Sequence, residues 1–230
     1  VAALTRTFDM LAESNSGETF VLAVIGVDGS GKTSMLAELQ RREVLQGALY
    51  VRTEQWQCDH LLRRYHRKAP GGALDFVDGS FARVRPFATA MDILHTYDTR
   101  ILPWLGHVPY IAVDRYVLSA MAYFAAMGHR DVMHDYFADV RRADLTIYLR
   151  ADMETLLRRY RDRGVHRDDE APELIRRHAA ALDELVGETD WNVVTIDNVR
   201  PFAETYLEVE NAVRDALGVW RARTLVPASQ

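Results

Sequence analysis

Lysine is nearly missing from this chain. Of its 28 basic residues only Lys32 and Lys68 are lysines, and the rest are arginines. Cysteine is scarcer still: the lone Cys58 can form neither an internal disulfide nor a Cys-based zinc cluster, so a reducing cytoplasm is the expected compartment. Long hydrophobic runs are lacking too. Runs such as residues 20–27 are only about eight residues, against about 20 for a membrane-spanning helix. No basic-then-apolar leader opens the sequence, so secretion is not expected. There is no internal repeat and no low-complexity tract, and His60, His66, His95 and His107 show no metal-ligand spacing. Nor is there a strong excess of one charge. Thirty-three acidic residues against 28 basic ones give a formal charge of -5, which argues against a partner that is nucleic acid.

What remains is the composition of an ordinary globular domain. The 230 residues are 48% hydrophobic and 27% charged, enough for a sizeable core without staples. Short Val- and Ile-rich runs at 20–26, 48–53, 108–113, 144–149 and 191–196 read as strands. Amphipathic stretches at 32–45, 85–105, 118–127, 153–163, 172–186 and 202–217 read as helices, with Pro86 in the first turn of the second. Alternation of this kind predicts an α/β fold, a five-stranded parallel sheet with helices on both faces. Residues 1–19 read as a leader helix and loop, 20–218 as the main domain and 219–230 as a tail. Pro70-Gly71-Gly72 and Asp78-Gly79-Ser80 mark a loop-rich insertion after the second strand.

One lysine sits in a glycine-rich loop. Gly26-Val27-Asp28-Gly29-Ser30-Gly31-Lys32-Thr33 matches G-x-x-x-x-G-K-[ST] and joins an apolar strand to a helix. There, backbone N–H groups and the helix dipole receive phosphate. Gly29 and Gly31 allow a close backbone approach, Lys32 reaches the β- and γ-phosphates, and the Thr33 hydroxyl, with Ser34 beside it, faces Mg²⁺. The expected ligand is a nucleoside triphosphate, ATP with Mg²⁺. Asp28 inside the loop is costly next to phosphates unless it serves an acceptor hydroxyl or acts as a base. Asp114-Arg115-Tyr116 follows the third strand, at the sheet edge where ligands bind. Its carboxylate suits Mg²⁺ and its arginine a two-pronged phosphate clamp. Arg158, Arg159, Arg161, Arg163 and Arg167 crowd one helix end and the loop after it, as an arginine-rich lid over the transferring group would require.

These segments resemble the thymidylate kinase family. Val24 to Thr33 is similar to that family's strand and phosphate loop, including the loop Asp, and Asp114-Arg115-Tyr116-Val117-Leu118-Ser119-Ala120-Met121-Ala122-Tyr123 to its D-R-Y-x-x-S-x-x-A-Y segment. The resemblance implies a P-loop fold, a homodimer, and transfer of the γ-phosphoryl of Mg·ATP to dTMP. It also implies that Arg159 packs on adenine, that Arg161 or Arg163 is the lid arginine, and that Asp197 and Asn198 lie beside the adenine. The acceptor half departs from the family. The R-E-P-G-x-T loop reads Arg52-Thr53-Glu54-Gln55-Trp56-Gln57, and the base-reading segment falls near Ile93-Leu94-His95, leaving Arg83 or Arg85 to replace its arginine. The acceptor is therefore expected to be dTMP or a related nucleotide, bound by Asp28, Glu54, Arg83, His95, Arg115 and Tyr123. The alternative is a hydroxyl of a nucleoside, sugar or specialised metabolite, which needs a general base such as Asp28, Glu54 or Asp114. An NTP-driven switch is the third reading, disfavoured by the missing N-K-x-D.

Overall fold

The computed structural model describes residues 18–53, 57–68, 79–131, 133–164 and 172–224. The predicted leader helix, Glu54 and Arg167 lie outside them. Five strands form one all-parallel sheet: β1 (Phe20–Ile25), β2 (Leu49–Arg52), β3 (Tyr110–Asp114), β4 (Leu145–Arg150) and β5 (Val193–Asp197), in the order β2-β3-β1-β4-β5. All six residues of β1 are buried, as its unbroken apolar run predicts for the central strand.

Alternation along β1 separates two cores. Phe20, Leu22 and Val24 face Met35 and Leu39 of α1 (Lys32–Arg41) and Val209 and Val213 of α8 (Phe202–Thr224). Val21, Ala23 and Ile25 face the other layer, built from α3 (Ser80–Thr96), α4 (Val117–Ala126) and α7 (Pro172–Glu188). Short α5 (Met133–Tyr136) follows α4, and α6 (Met153–Arg163) follows β4.

Three expectations are corrected. The insertion after β2 contains a helix, α2 (Cys58–Lys68), which periodicity missed because Leu61 and Tyr65 are exposed and only Asp59 is buried. Polar contacts hold it: the Asp92 carboxylate of α3 accepts from the backbone N–H of Cys58 and Asp59, and Arg85 donates to Asp59 at 2.9 Å. Helix α3 starts at Ser80, not 85, because Phe81 is buried against Tyr123 and Leu174. Pro86 is therefore interior to the helix, where it removes one ladder hydrogen bond. Finally, α8 runs to Thr224, so residues 219–224, half of the predicted tail, continue the last helix of the domain. Trp220 packs edge-on to Phe20 with ring centroids 5.8 Å apart, and Arg221 donates to the Tyr110 hydroxyl at 2.7 Å.

Candidate active site

Parallel pairing sets Val24 beside Asp114 and Asp114 beside Arg52, so the loop leaving β1 and the carboxyl ends of β3 and β2 share one edge. That edge is where open α/β sheets bind ligands. The loop between β1 and α1 turns through three glycines with positive φ: Gly26 (145°), Gly29 (76°) and Gly31 (95°). A Cβ on Gly29 would lie 2.7 Å from the Tyr160 ring, and one on Gly31 2.6 Å from Asn198 Nδ2. Glycine at these two positions is thus required by both conformation and space.

Lys32, 5% exposed, donates to the Val27 carbonyl at 2.7 Å. Burial, and next the Arg115 guanidinium, lower its pKa to about 7 against the pull of Asp28 and Asp114. The Thr33 hydroxyl donates to Asp114 Oδ2 at 2.6 Å, which brings together two hard oxygen donors. Among the described residues no group of three or more His, Cys, Asp or Glu could hold a metal. One carboxylate plus one hydroxyl fits Mg²⁺, which takes most of its shell from water and substrate phosphates. Arg115 sits in the left-handed region at φ 68°, held by its N–H to Val24 O (3.0 Å) and by the Thr53 hydroxyl donating to its carbonyl (3.0 Å). Such a cost in a non-glycine residue persists only where the surroundings over-determine it. Its guanidinium pairs with the Asp28 carboxylate.

Two clefts meet at that pair. The larger, about 450 Å³, is lined by Lys32, Thr33, Ser34, Arg159, Arg163 and Asn198, with Arg52, Tyr160, Arg200 and Phe202. Arg159 donates to Gly29 O (3.1 Å) and Asn198 O (2.7 Å), and the Asn198 amide donates to Ser30 O at 2.6 Å, so both brace the phosphate loop. Arg163 lies over the Tyr160 ring, 5.2 Å from its centroid, and lines the cleft. Arg161, two positions back and so on another face of α6, is exposed and lines neither cleft. Asp197 is corrected: its carboxylate is turned onto Arg150 at 2.7 Å and does not line the cleft.

The smaller cleft, about 40 Å³, is lined by Asp28, Arg115 and Tyr123, and by Arg85, Thr89 and His178. At this width it admits little more than water. Arg83 and His95 are corrected. Both are exposed and outside this cleft. On α3 the inward phase carries Arg85, Thr89 and Ile93, which leaves Arg83 and His95 on outward faces. Arg85 donates to Asp59 and, at 2.9 Å, to the Tyr123 hydroxyl. Arg52 could have been found in the sequence, since it ends a strand at the same edge. His178 carried no such signal, because only the packing of α7 on α4 brings it here.

A phosphate loop on a parallel sheet, with an Asp-Arg pair at its edge, defines a P-loop kinase. The family model of thymidylate kinase matches residues 24–208, and the chain belongs to that family; it is an ATP-dependent phosphotransferase of that type. Among solved structures it resembles a thymidylate kinase from Candida albicans, at 14% identity over 86% of this chain and 92% of that one, with TM-score 0.64. It also resembles a deoxyadenosine kinase from M. mycoides with dCMP and dCDP bound, at 15% identity over 85% and 99%, with TM-score 0.62. Comparison with curated proteins finds no sequence match.

Proposed function

We propose that this chain moves the γ-phosphoryl group of Mg·ATP to the phosphate of a nucleoside monophosphate, dTMP or a related nucleotide. The single observation that carries this reading is Arg115, which lines both clefts from a constrained backbone. There its guanidinium can clamp an acceptor phosphate facing the donor's γ-phosphate. An acceptor phosphate oxygen forms the new bond to the γ-phosphorus, the bond to the β–γ bridging oxygen breaks, and ADP leaves. No general base is required, because the attacking oxygen is already ionised at neutral pH.

The chain's own groups position and neutralise. Lys32 lies against the β- and γ-phosphates, the loop N–H groups bind their oxygens, and Arg163 from α6 approaches the transferring group. Arg159 and Asn198 line the donor end, where Arg159 packs on the adenine. Thr33 and Asp114 would hold Mg²⁺, which would supply positive charge to the donor phosphates. Exposed Val84 and Met91 on α3, and exposed Leu61 and Tyr65 on α2, support a homodimer. The lone cysteine and the formal charge of -5 support a cytoplasmic protein without a nucleic-acid partner. Among the described residues no helix is long and apolar enough to cross a membrane.

A second reading, transfer to a hydroxyl, is favoured by one feature: Asp28 also lines both clefts and is the carboxylate placed to take a proton. ADP release with Mg·ATP against a panel of nucleoside monophosphates, nucleosides and sugars decides between them. Turnover with monophosphates is expected. Turnover with hydroxyl acceptors only would overturn the first reading in favour of the second.

A further inference from the structure

The acceptor cleft contains a histidine that phosphoryl transfer does not use. His178, on α7, lines the cleft beside Tyr123, with ring centroids 5.8 Å apart. Its Nε2 lies 3.2 Å from the Ser119 carbonyl of α4. A carbonyl can only accept, so Nε2 carries the proton and donates. Burial, and next the Arg115 guanidinium, push the ring's pKa down to about 4, so at pH 7 it is neutral. In a neutral imidazole with Nε2 protonated, Nδ1 holds a lone pair and accepts. Among the described residues Nδ1 has no hydrogen-bond partner.

A second polar group faces the same space. The Thr89 hydroxyl of α3 is 1% exposed, lines the cleft, and has no hydrogen-bond partner among the described residues. A buried hydroxyl left unpaired is costly, which points to a ligand atom or water as its partner. Around these two groups the walls are apolar, with Val27, Ile93, Ala120 and Leu174. A ring or sugar edge is held by such walls and read by the polar atoms set into them.

We infer that His178 and Thr89 are specificity-determining residues for the acceptor: Nδ1 accepts a hydrogen bond from an N–H or O–H donor on the acceptor's ring or sugar edge, and the Thr89 hydroxyl pairs with the polar atom beside it. The inference rests on the acceptor reading proposed above and deepens it. It selects acceptors that carry a donor at this edge over those in which the same position is alkylated.

Two substitutions separate the histidine's two contacts. His178→Gln retains a donor near Nε2 for Ser119 but loses the acceptor at Nδ1, whereas His178→Asn places an oxygen near Nδ1 and loses the tie to Ser119. The probes are the nucleoside monophosphate with the highest turnover in the panel and its ring N-methyl derivative. Initial rates and thermal midpoints are measured for each variant. Expected are a rise of about tenfold in the acceptor KM for His178→Gln, an unchanged KM for ATP, and an acceptor KM within about threefold of the parent for His178→Asn. The parent should reject the N-methyl derivative by about tenfold, and His178→Gln should lose that discrimination. An unchanged acceptor KM in His178→Gln would overturn the inference and leave the functional reading standing. A parallel rise in both KM values, with both variants melting early, would also overturn it and assign His178 to the α7–α4 packing alone. Absence of turnover with every monophosphate in the parent protein would instead defeat the functional reading, and the inference with it.

Discussion

Arg115 and Asp28 form an ion pair on the wall common to the two clefts, and the arginine holds this position with its backbone in the left-handed region. The pair links the phosphate loop to the edge of β3. Arg115→Ala is expected to lower kcat/KM for the acceptor about 100-fold, as for loss of a charged phosphate clamp. Asp28→Asn should cost less. A double-mutant cycle of the two should give a coupling of only about 1 kcal/mol, because the Asp28 side chain is 36% exposed. Steady-state rates of the four proteins measure it.

Lys32 has a pKa of about 7 while it lies on the Val27 carbonyl. Triphosphate binding favours the charged ammonium and raises that pKa, so ATP binding should take up protons. Uptake is expected to be near one proton at pH 8.5, where the free lysine is mostly neutral, and to fall toward pH 6, where it is already charged. Folding carries the opposite sign, because it lowers the lysine's pKa and so releases protons. The folded pKa is below the unfolded value of 10.5, so the contribution of this residue to stability improves as pH rises from 7 to 10.5. Calorimetry in two buffers of different ionisation enthalpy measures the uptake. Lys32→Met should remove its pH-dependent part and lower kcat by about 100- to 1,000-fold, with the fold intact.

Gly31 and Gly128 both have positive φ, 95° and 81°, but differ in their surroundings. A Cβ at Gly31 would meet Asn198 Nδ2 at 2.6 Å, while one at Gly128 would meet nothing within 4 Å. Gly128→Ala should therefore cost only about 1 kcal/mol of backbone strain. Gly31→Ala should cost about 2–3 kcal/mol and also raise the KM for ATP, because Asn198 braces the loop through Ser30 O. Denaturant midpoints and ATP titrations of the two variants test the difference.

The Arg85–Asp59 pair is buried, with side chains 4% and 6% exposed. Arg85→Met removes one partner of this buried pair, leaving Arg63 as the ion-pair partner of Asp59 among the described residues, and is expected to destabilise by about 3 kcal/mol. Exposed Arg83→Ala and His95→Ala should stay within about 0.5 kcal/mol and leave the acceptor KM unchanged. Equilibrium unfolding with urea distinguishes the two outcomes.

Local chemistry was legible in the residues themselves. The β1 run, the glycine loop with Lys32 and Thr33, and the Asp114-Arg115 pair were readable because each signal lies within a few residues, and the strand edge then places them together. The limits of α6 were likewise readable, from Asp152, whose carboxylate caps the Thr155 N–H, to Gly164 in its left-handed C-cap. The acceptor side was not. Helix α2 turns a charged face inward, so hydrophobic periodicity could not find it, and the early start of α3 depends on Phe81 meeting Tyr123 and Leu174 across the chain. A shift of that start left open which arginine faces inward, and only the packed helix selects Arg85 over Arg83. Sequence alone thus determined the donor chemistry, because a phosphate is gripped by one contiguous loop. Tertiary structure decided the smaller cleft, proposed above to take the acceptor, because its walls draw on α3, α4 and α7, and no spacing within any one of them records how the three pack.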